Sequence, residues 1–468
     1  MSNLTQMRLA AREIFDEALR ALDAGAAVSL AMNLERSRLN ICDVAIDLAN
    51  RNIYSISIGK AAFPMASALE EILGNRIAAG VIASNAPGYR SARRSERVNE
   101  AQVASLRHKV FYGGHPEPNE QSLAAAQASF DILAHANAER ALVIFLISGG
   151  GSAMLEWPIS EDIPLRDLGV AHKVLVNSGA SISEINAVRR AFSAVKGGRL
   201  AARAPHCDQI TLIISDVPSG EERNVASGPT LAPPPDAPDA RDVIVRYNFR
   251  LQLPETVLRA VDAEPNDSQS SAGNSTQLRK HFVLLDNKTA LEAAAEAARR
   301  RGFITKIASE MPDQRIESGC AELLNRLSQP GERAGNEELS HDSPTSVCLI
   351  SGGEFGCQVH GDGIGGRNLE TALRLAIEYD KLQNQERAAK ESHFVALCAG
   401  TDGIDGNSPA AGAIVDKTTI ERARAVGLDP QKFLDRSDAY SFFVALGDAI
   451  ATGPTGTNVR DLRILLAS

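Results

Sequence analysis

The chain has 468 residues, and its 44% hydrophobic and 23% charged content is that of a soluble globular protein too long for one ordinary core. Its formal net charge of −9 argues against a general nucleic-acid binder, which would be basic, but not against a local basic pocket. No window reaches the apolar length that spans a membrane, and six scattered cysteines without a C-x-x-C pair favour a reducing cytoplasm, buried thiols and no zinc-type spacing.

Residues 1–20 are charged and helical in pattern, with Leu4, Met7, Ala11, Ile14, Phe15, Ala18 and Leu22 on one face. They lack the continuous apolar core of a signal peptide. Apolar runs then alternate with helical patterns, the signature of α/β architecture. Residues 51–58, 80–83, 109–112, 141–147 and 210–214 read as strands, and 62–73, 121–136 and 183–202 as helices between them. The run 141–147 is apolar throughout, as in a parallel sheet covered on both faces. Residues 231–239 hold three successive prolines and mark a loop or linker. A second α/β pattern follows, with strands at 282–285, 347–350 and 394–398 and helices at 289–301 and 367–379. Two polar insertions, 262–277 and 328–344, read as exposed loops. Two domains are expected, with the boundary between 235 and 280.

The turns that follow the strands carry the chemistry. Gly59-Lys60 ends a strand and starts a helix, and in open α/β sheets ligands bind outside the carboxyl ends of the strands. It is not a Walker A loop, because position 61 is Ala. Ser148-Gly149-Gly150-Gly151-Ser152 follows the most apolar strand, and three glycines let successive N–H groups form an anion nest. An echo, Ser351-Gly352-Gly353-Glu354, ends a strand in the second half. Arg189 and Arg190, with Lys196-Gly197-Gly198-Arg199, line a helix and its expected C-terminal turn; they read either as partners of the helix dipole or, for Arg189, as a substrate contact. Asp216 and Asp402 sit at strand ends, where carboxylates beside phosphate nests suit a Mg²⁺–nucleotide site.

The segment Gly361-Asp362-Gly363-Ile364-Gly365-Gly366-Arg367-Asn368-Leu369-Glu370 bends tightly before an amphipathic helix with Leu369, Ala372, Leu373 and Ala376 on one face. A Gly-rich turn, a helix start and Arg367 together suggest a phosphate or carboxylate site. Gly361-x-Gly363-x-x-Gly366 also matches the dinucleotide fingerprint, but only a short strand, 357–360, precedes it and no acidic strand end follows.

Taken in order, Ile58-Gly59-Lys60, Gly114-His115-Pro116, 148–153, Lys196-Gly197-Gly198-Arg199-Leu200-Ala201, Ser215-Asp216-Val217, Ser227-Gly228-Pro229-Thr230, Ser351-Gly352-Gly353-Glu354, Gly365-Gly366-Arg367-Asn368, 400–406 and Gly453-Pro454-Thr455-Gly456-Thr457-Asn458 resemble the glycerate kinases that phosphorylate the 2-hydroxyl. The resemblance spans about 10 to 465. It implies an α/β fold of two domains: an N-terminal Rossmann-like α/β/α sandwich over 1–245 and a C-terminal mixed α/β domain of MOFRL type over 280–468, with the active site in the cleft. The family's essential Lys and Arg match Lys60 and Arg367. The implied substrates are ATP and D-glycerate, with Mg²⁺ as cofactor, in a cytoplasmic enzyme that binds neither nucleic acid nor membrane; a homodimer is left open. On this reading Lys60, Arg367 and Asp216 are catalytic. Ser148, Gly149, Gly150, Gly151, Ser152, Gly352, Gly353, Glu354, Gly365, Gly366 and Asn368 bind ligand, and Asp216 and Asp402 bind metal. Phe355, Leu369 and Asn407-Ser408 depart from the family pattern, which has Thr, Gln and Pro-Thr there. Two other classes stand beside this one: an NAD(P)H-dependent hydroxypyruvate reductase, the older label for such chains, and a non-catalytic sensor of a sugar acid.

Overall fold

In the computed structural model, which describes residues 3–85, 106–263, 277–308, 315–329, 346–385 and 393–468, two six-stranded sheets and one three-stranded sheet carry the chain. The small sheet comes first, from β1 (Met32–Glu35), β2 (Arg38–Ile41) and β3 (Val44–Asp47). Then follow β4 (Ile53–Ile58), β5 (Ile77–Ser84), β6 (His108–Tyr112), β7 (Leu142–Ser148), β8 (Asp208–Ile214) and β9 (Arg279–Leu285). These six pair in parallel in the order β6-β5-β4-β7-β8-β9. That is the doubly wound order, and the direction of winding reverses between β4 and β7. β4 and β7 are buried along their whole length, as their apolar runs require between two helical layers.

The second large sheet is mixed. It contains β10 (Ile304–Ile307), β11 (Val347–Gly352), β12 (Phe394–Gly400), β13 (Gly412–Asp416), β14 (Ala449–Ile450) and β15 (Asp461–Ala467). Its order is β10-β11-β15-β12-β13-β14. The last strand of the chain lies at its centre, antiparallel to both β11 and β12. β11 and β12 therefore run parallel to each other, and their carboxyl ends lie on one edge with the start of β15 between them.

Two elements serve the sheet that is distant in sequence. The helix Asn3–Ala21 buries Met7, Ala11, Ile14, Phe15 and Ala18 against β11, β12, β15 and the helix Asn287–Arg300. Strand β9 completes the first sheet, and Asp286 then caps Asn287–Arg300, which packs on the second. The chain thus crosses between the sheets near Leu22 and near Asp286.

Several expectations are corrected. The helix expected over 183–202 ends at Phe192, because Ser193 turns extended and donates its hydroxyl to Glu156 at 2.5 Å. Gly197 and Gly198 then take φ of +65° and +83°, and a short helix restarts at Arg199. No strand forms at 357–360, so the dinucleotide fingerprint lacks the strand it needs. Cys207, Cys320, Cys348 and Cys398 are buried as expected, whereas Cys42 is exposed. The polar insertions fall mostly on 264–276 and 330–345, outside the described residues. Among those described, no helix is long and apolar enough to cross a membrane.

Phe15 is fully buried between the first helix and the second sheet. Phe15→Ala is expected to cost about 3–5 kcal/mol in urea unfolding monitored by circular dichroism. A loss below about 1 kcal/mol would show that this helix is not part of the second core.

Candidate active site

The reversal between β4 and β7 brings two turns side by side. Lys60 N–H donates to the Gly149 carbonyl at 3.0 Å, and the Ser148 hydroxyl accepts from Ala61 N–H at 3.0 Å while donating to the Ile58 carbonyl. Ser148 is therefore a weld between the two turns rather than a ligand donor. Gly59 must be glycine: its φ is +112°, and a Cβ would stand 2.3 Å from the Ser148 carbonyl oxygen. Beyond the weld, the N–H groups of Gly150, Gly151 and Ser152 donate to no described residue. Gly151 is buried and Gly150 and Ser152 are half-buried; amides so placed without acceptors are costly, so this turn is open to an anion. The Ser152 hydroxyl lies 2.8 Å from that of Ser227, which donates to Asn186.

Asp216, after β8, closes one side. Its carboxylate lies so close that a Cβ on Gly149 would stand 2.0 Å from Oδ2. Burial pushes Asp216 up to about 6, with Lys60 and Arg460 opposing and Asp402 adding.

The second half faces this site directly. Lys60 Nζ reaches Asp402 Oδ2 at 2.7 Å, and Asn458 Nδ2 approaches Asp216 Oδ2 at 3.4 Å. Arg367 is held by two carboxylates of its own half, Glu354 at 2.5 Å and Asp461 at 2.8 Å. Burial acts to lower the Arg367 pKa, but Asp461, Glu354 and Asp405 outweigh it and raise it. Glu354 is pushed up to about 7 by burial first, with Arg367 opposing and Asp461, Asp216 and Asp402 adding. Lys60, Asp216, Glu354, Arg367 and Asp402, all expected from the sequence, therefore share one cleft.

Other expected ligand groups are already engaged within the protein. Gly353 N–H donates to Asn287 Oδ1 at 3.0 Å, and Arg463 binds the carbonyls of Gly352 and Gly353 at 2.6 and 3.0 Å. This second Ser-Gly-Gly turn is not an anion nest. The N–H groups of Asn368 and Leu369 are also taken, by the Asp405 carboxylate at 3.0 and 2.8 Å. Asp405 is pushed up to about 6 by burial, against these two backbone hydrogen bonds. The anion at the helix start is thus the chain's own, which the glycine-rich segment concealed. Gly365 N–H goes to Asn407 Oδ1 at 2.8 Å, and a Cβ on Gly366 would stand 2.5 Å from the Asp405 carbonyl carbon. Gly365, Gly366 and Asn368 shape the turn that presents Arg367.

The departures from the family pattern have structural partners. Phe355 lies under the Arg463 guanidinium, 3.8 Å from its ring centroid, and fills the space above Gly319. Leu369 is fully buried in the second core. Asn407 pins both Gly363 and Gly365. The residues that sequence reasoning missed are Asn287, Asp405, Asp461 and Arg463. For the last two a signal existed: two charges inside the apolar run of β15, a pattern that only a buried ion pair or a site explains.

A profile described as a domain of unknown function, DUF4147, matches residues 10–262, and the MOFRL family matches 347–461. A D-glycerate 2-kinase of Thermotoga maritima is 33% identical over 412 residues, 87% of this chain and 89% of its own. A protein of Agrobacterium vitis with the provisional name hydroxypyruvate reductase is 34% identical over 99% of this chain and 95% of its own. A crystal structure of a glycerate kinase from Thermotoga maritima matches with a TM-score of 0.72 and 28% identity, covering 99% of this chain and all of that one.

Because burial raises Asp216 to about 6, its contribution to stability is complete below the ordinary aspartate range and is lost as pH rises through 6. Asp216→Asn removes that loss. Its melting temperature relative to the unaltered protein should rise between pH 5 and pH 7, as followed by scanning fluorimetry. A difference that stays flat over that range would refute the raised pKa.

Proposed function

We propose that this chain, which belongs to the glycerate 2-kinase family of DUF4147–MOFRL proteins, transfers the γ-phosphoryl group of ATP to the 2-hydroxyl of D-glycerate, giving 2-phosphoglycerate. Its family makes it a phosphotransferase acting on an alcohol acceptor. The observation that carries the finer reading is the open turn at 149–152, with Lys60 and Asp216 beside it and Asp402, Glu354 and Arg367 opposite. Phosphoryl transfer asks the protein mainly for positioning and charge stabilisation, and this cleft offers both.

On this reading the amides of Gly150, Gly151 and Ser152 hold phosphate oxygens. Lys60, as a point charge, and Arg367, as a planar fork, balance charge on the group in transit. Arg367 then exchanges part of its hold on Glu354 for the phosphoryl oxygens. Asp216 orients the attacking hydroxyl and accepts its proton. Mg²⁺ fits the donor chemistry: Asp216 and Asp402 offer hard carboxylate oxygens from opposite sides of the cleft. Among the described residues no group of three or more acidic or thiol/imidazole side chains could hold an ion, in keeping with a cation that arrives with its nucleotide. When bound, it would neutralise phosphate charge. Approach of the two halves would exclude water. We also assign the protein to the cytoplasm, and take its units to be 1–245 and 280–468, with the first helix packed on the second and β9 completing the first.

Lys60→Ala and Arg367→Ala are each expected to lower kcat by about 10²-fold or more, with the melting temperature largely kept. ADP release with D-glycerate, measured by a coupled assay, is the readout. Near-normal turnover in both variants would sink the assignment. Oxidation of NADH with hydroxypyruvate, and no ADP with D-glycerate, would instead support the reductase.

A further inference from the structure

Arg189 stands in the last turn of the helix Ile182–Phe192. A cation there interacts favourably with the helix dipole, but that role asks only for an exposed side chain. Arg189 is instead 7% exposed, and its Nε is buried with no hydrogen-bond partner. Among the described residues its guanidinium makes neither a hydrogen bond nor an ion pair.

The charges around it do not balance. Glu156 is a fully buried carboxylate, and it is the anion whose charge supports Arg189. That carboxylate is already committed: it accepts from Lys196, from His172 at 3.0 Å and from Ser193 at 2.5 Å. Lys196 and His172 are fully buried too, and burial holds His172 near 4, so it is neutral at pH 7. Two buried cations thus share one carboxylate, and Lys196 has it. Burial lowers Arg189 to about 10, against the pull of Glu156. An uncompensated buried charge is expensive to keep, and a ligand that neutralises it removes the cost.

The position of Arg189 says where that ligand lies. Asn186, three residues earlier and on the same helix face, accepts from the Ser227 hydroxyl, which in turn meets Ser152 of the open turn. The imidazole of His115 feels the charges of Lys60, Asp402 and Arg189 together. Arg189 therefore lies on the face of its helix that meets the open turn, within electrostatic reach of the same cleft as Lys60.

We propose that Arg189 receives the carboxylate of the 2-hydroxy acid and so selects acids over neutral alcohols. The inference rests on the kinase reading of the cleft. Open amides and Lys60 already serve phosphate; the remaining need is for one planar anion of single charge, which a guanidinium holds through two parallel hydrogen bonds.

Arg189→Met and Arg189→Lys test this in the full-length protein, with KM measured separately for D-glycerate and ATP. In R189M the KM for D-glycerate should rise about 10²-fold, with KM for ATP unchanged, and the preference for D-glycerate over glycerol should collapse. R189K should recover part of the loss. The melting temperature of R189M should hold or rise, because a buried uncompensated charge is gone. A rise in KM for ATP alone would make Arg189 a nucleotide contact. Unchanged KM values, or a fall in melting temperature with KM values intact, would make it structural; each of these overturns the proposal. Should the unaltered protein yield no ADP with D-glycerate, the kinase reading fails by itself. Thermal shift then decides on Arg189: stabilisation by D-glycerate and lactate but not by glycerol, lost in R189M, upholds it, and stabilisation that survives in R189M refutes it.

Discussion

Lys60 and Asp402 meet at 2.7 Å across the cleft, and this ion pair joins the carboxyl end of β4 to that of β12. The two sheets have cores of their own, linked by crossings near Leu22 and Asp286, and the first core also takes in Ala290 and Val459 from the second half. Polar contacts that span the gap add direction to this apolar seam. Lys60–Asp402 and Asn458–Asp216 supply them at the mouth. Asn287, at the crossing after β9, binds the Gly353 amide and the carbonyls of Val459 and Asp461 at once and so ties the start of its helix into the second half. A partly buried ion pair of this kind contributes more to specificity of placement than to net stability, because desolvation offsets most of its attraction.

Around that pair the cleft carries more carboxylates than it can comfortably ionise. Asp216 and Asp405 sit near 6 and Glu354 near 7, each raised first by burial. Clustered titratable groups pushed in this way are characteristic of functional sites, where charge is to be received as well as held. Arg367, clamped by Glu354 and Asp461, is kept oriented at the rim by its own half. A guanidinium so held loses little entropy when it takes a new oxygen.

The two Ser-Gly-Gly turns show how alike sequences acquire different roles. In 148–152 both serine hydroxyls and the carbonyls of Gly149, Gly151 and Ser152 are engaged, but the amides of Gly150, Gly151 and Ser152 remain open. In 351–354 Asn287 takes the amide and Arg463 takes both glycine carbonyls. Nothing in the shared Ser-Gly-Gly letters distinguishes them. The partners come from positions 66 and 111 residues away in the chain.

The sequence by itself determined the alternation of strands and helices, the helical N-terminus with its apolar face, and the cations and carboxylates Lys60, Arg367, Asp216 and Asp402. Those signals are local, because periodicity and a polar residue at a strand end are written within a few positions. It did not reveal the three-stranded sheet of β1–β3, whose strands are short and carry charges. Nor did it place β15, a terminal strand that turns out to be central. The break at Ser193 and the inward turn of Lys196 were hidden by an unbroken helical period, and Glu156 decided both. Leu369, which does not fit the family pattern, was settled by the second core that encloses it. Which glycine turn is open, which arginine is already paired and which is not are questions of long-range hydrogen bonds and buried charge. Only the folded chain answers them, because desolvation has no counterpart along the sequence.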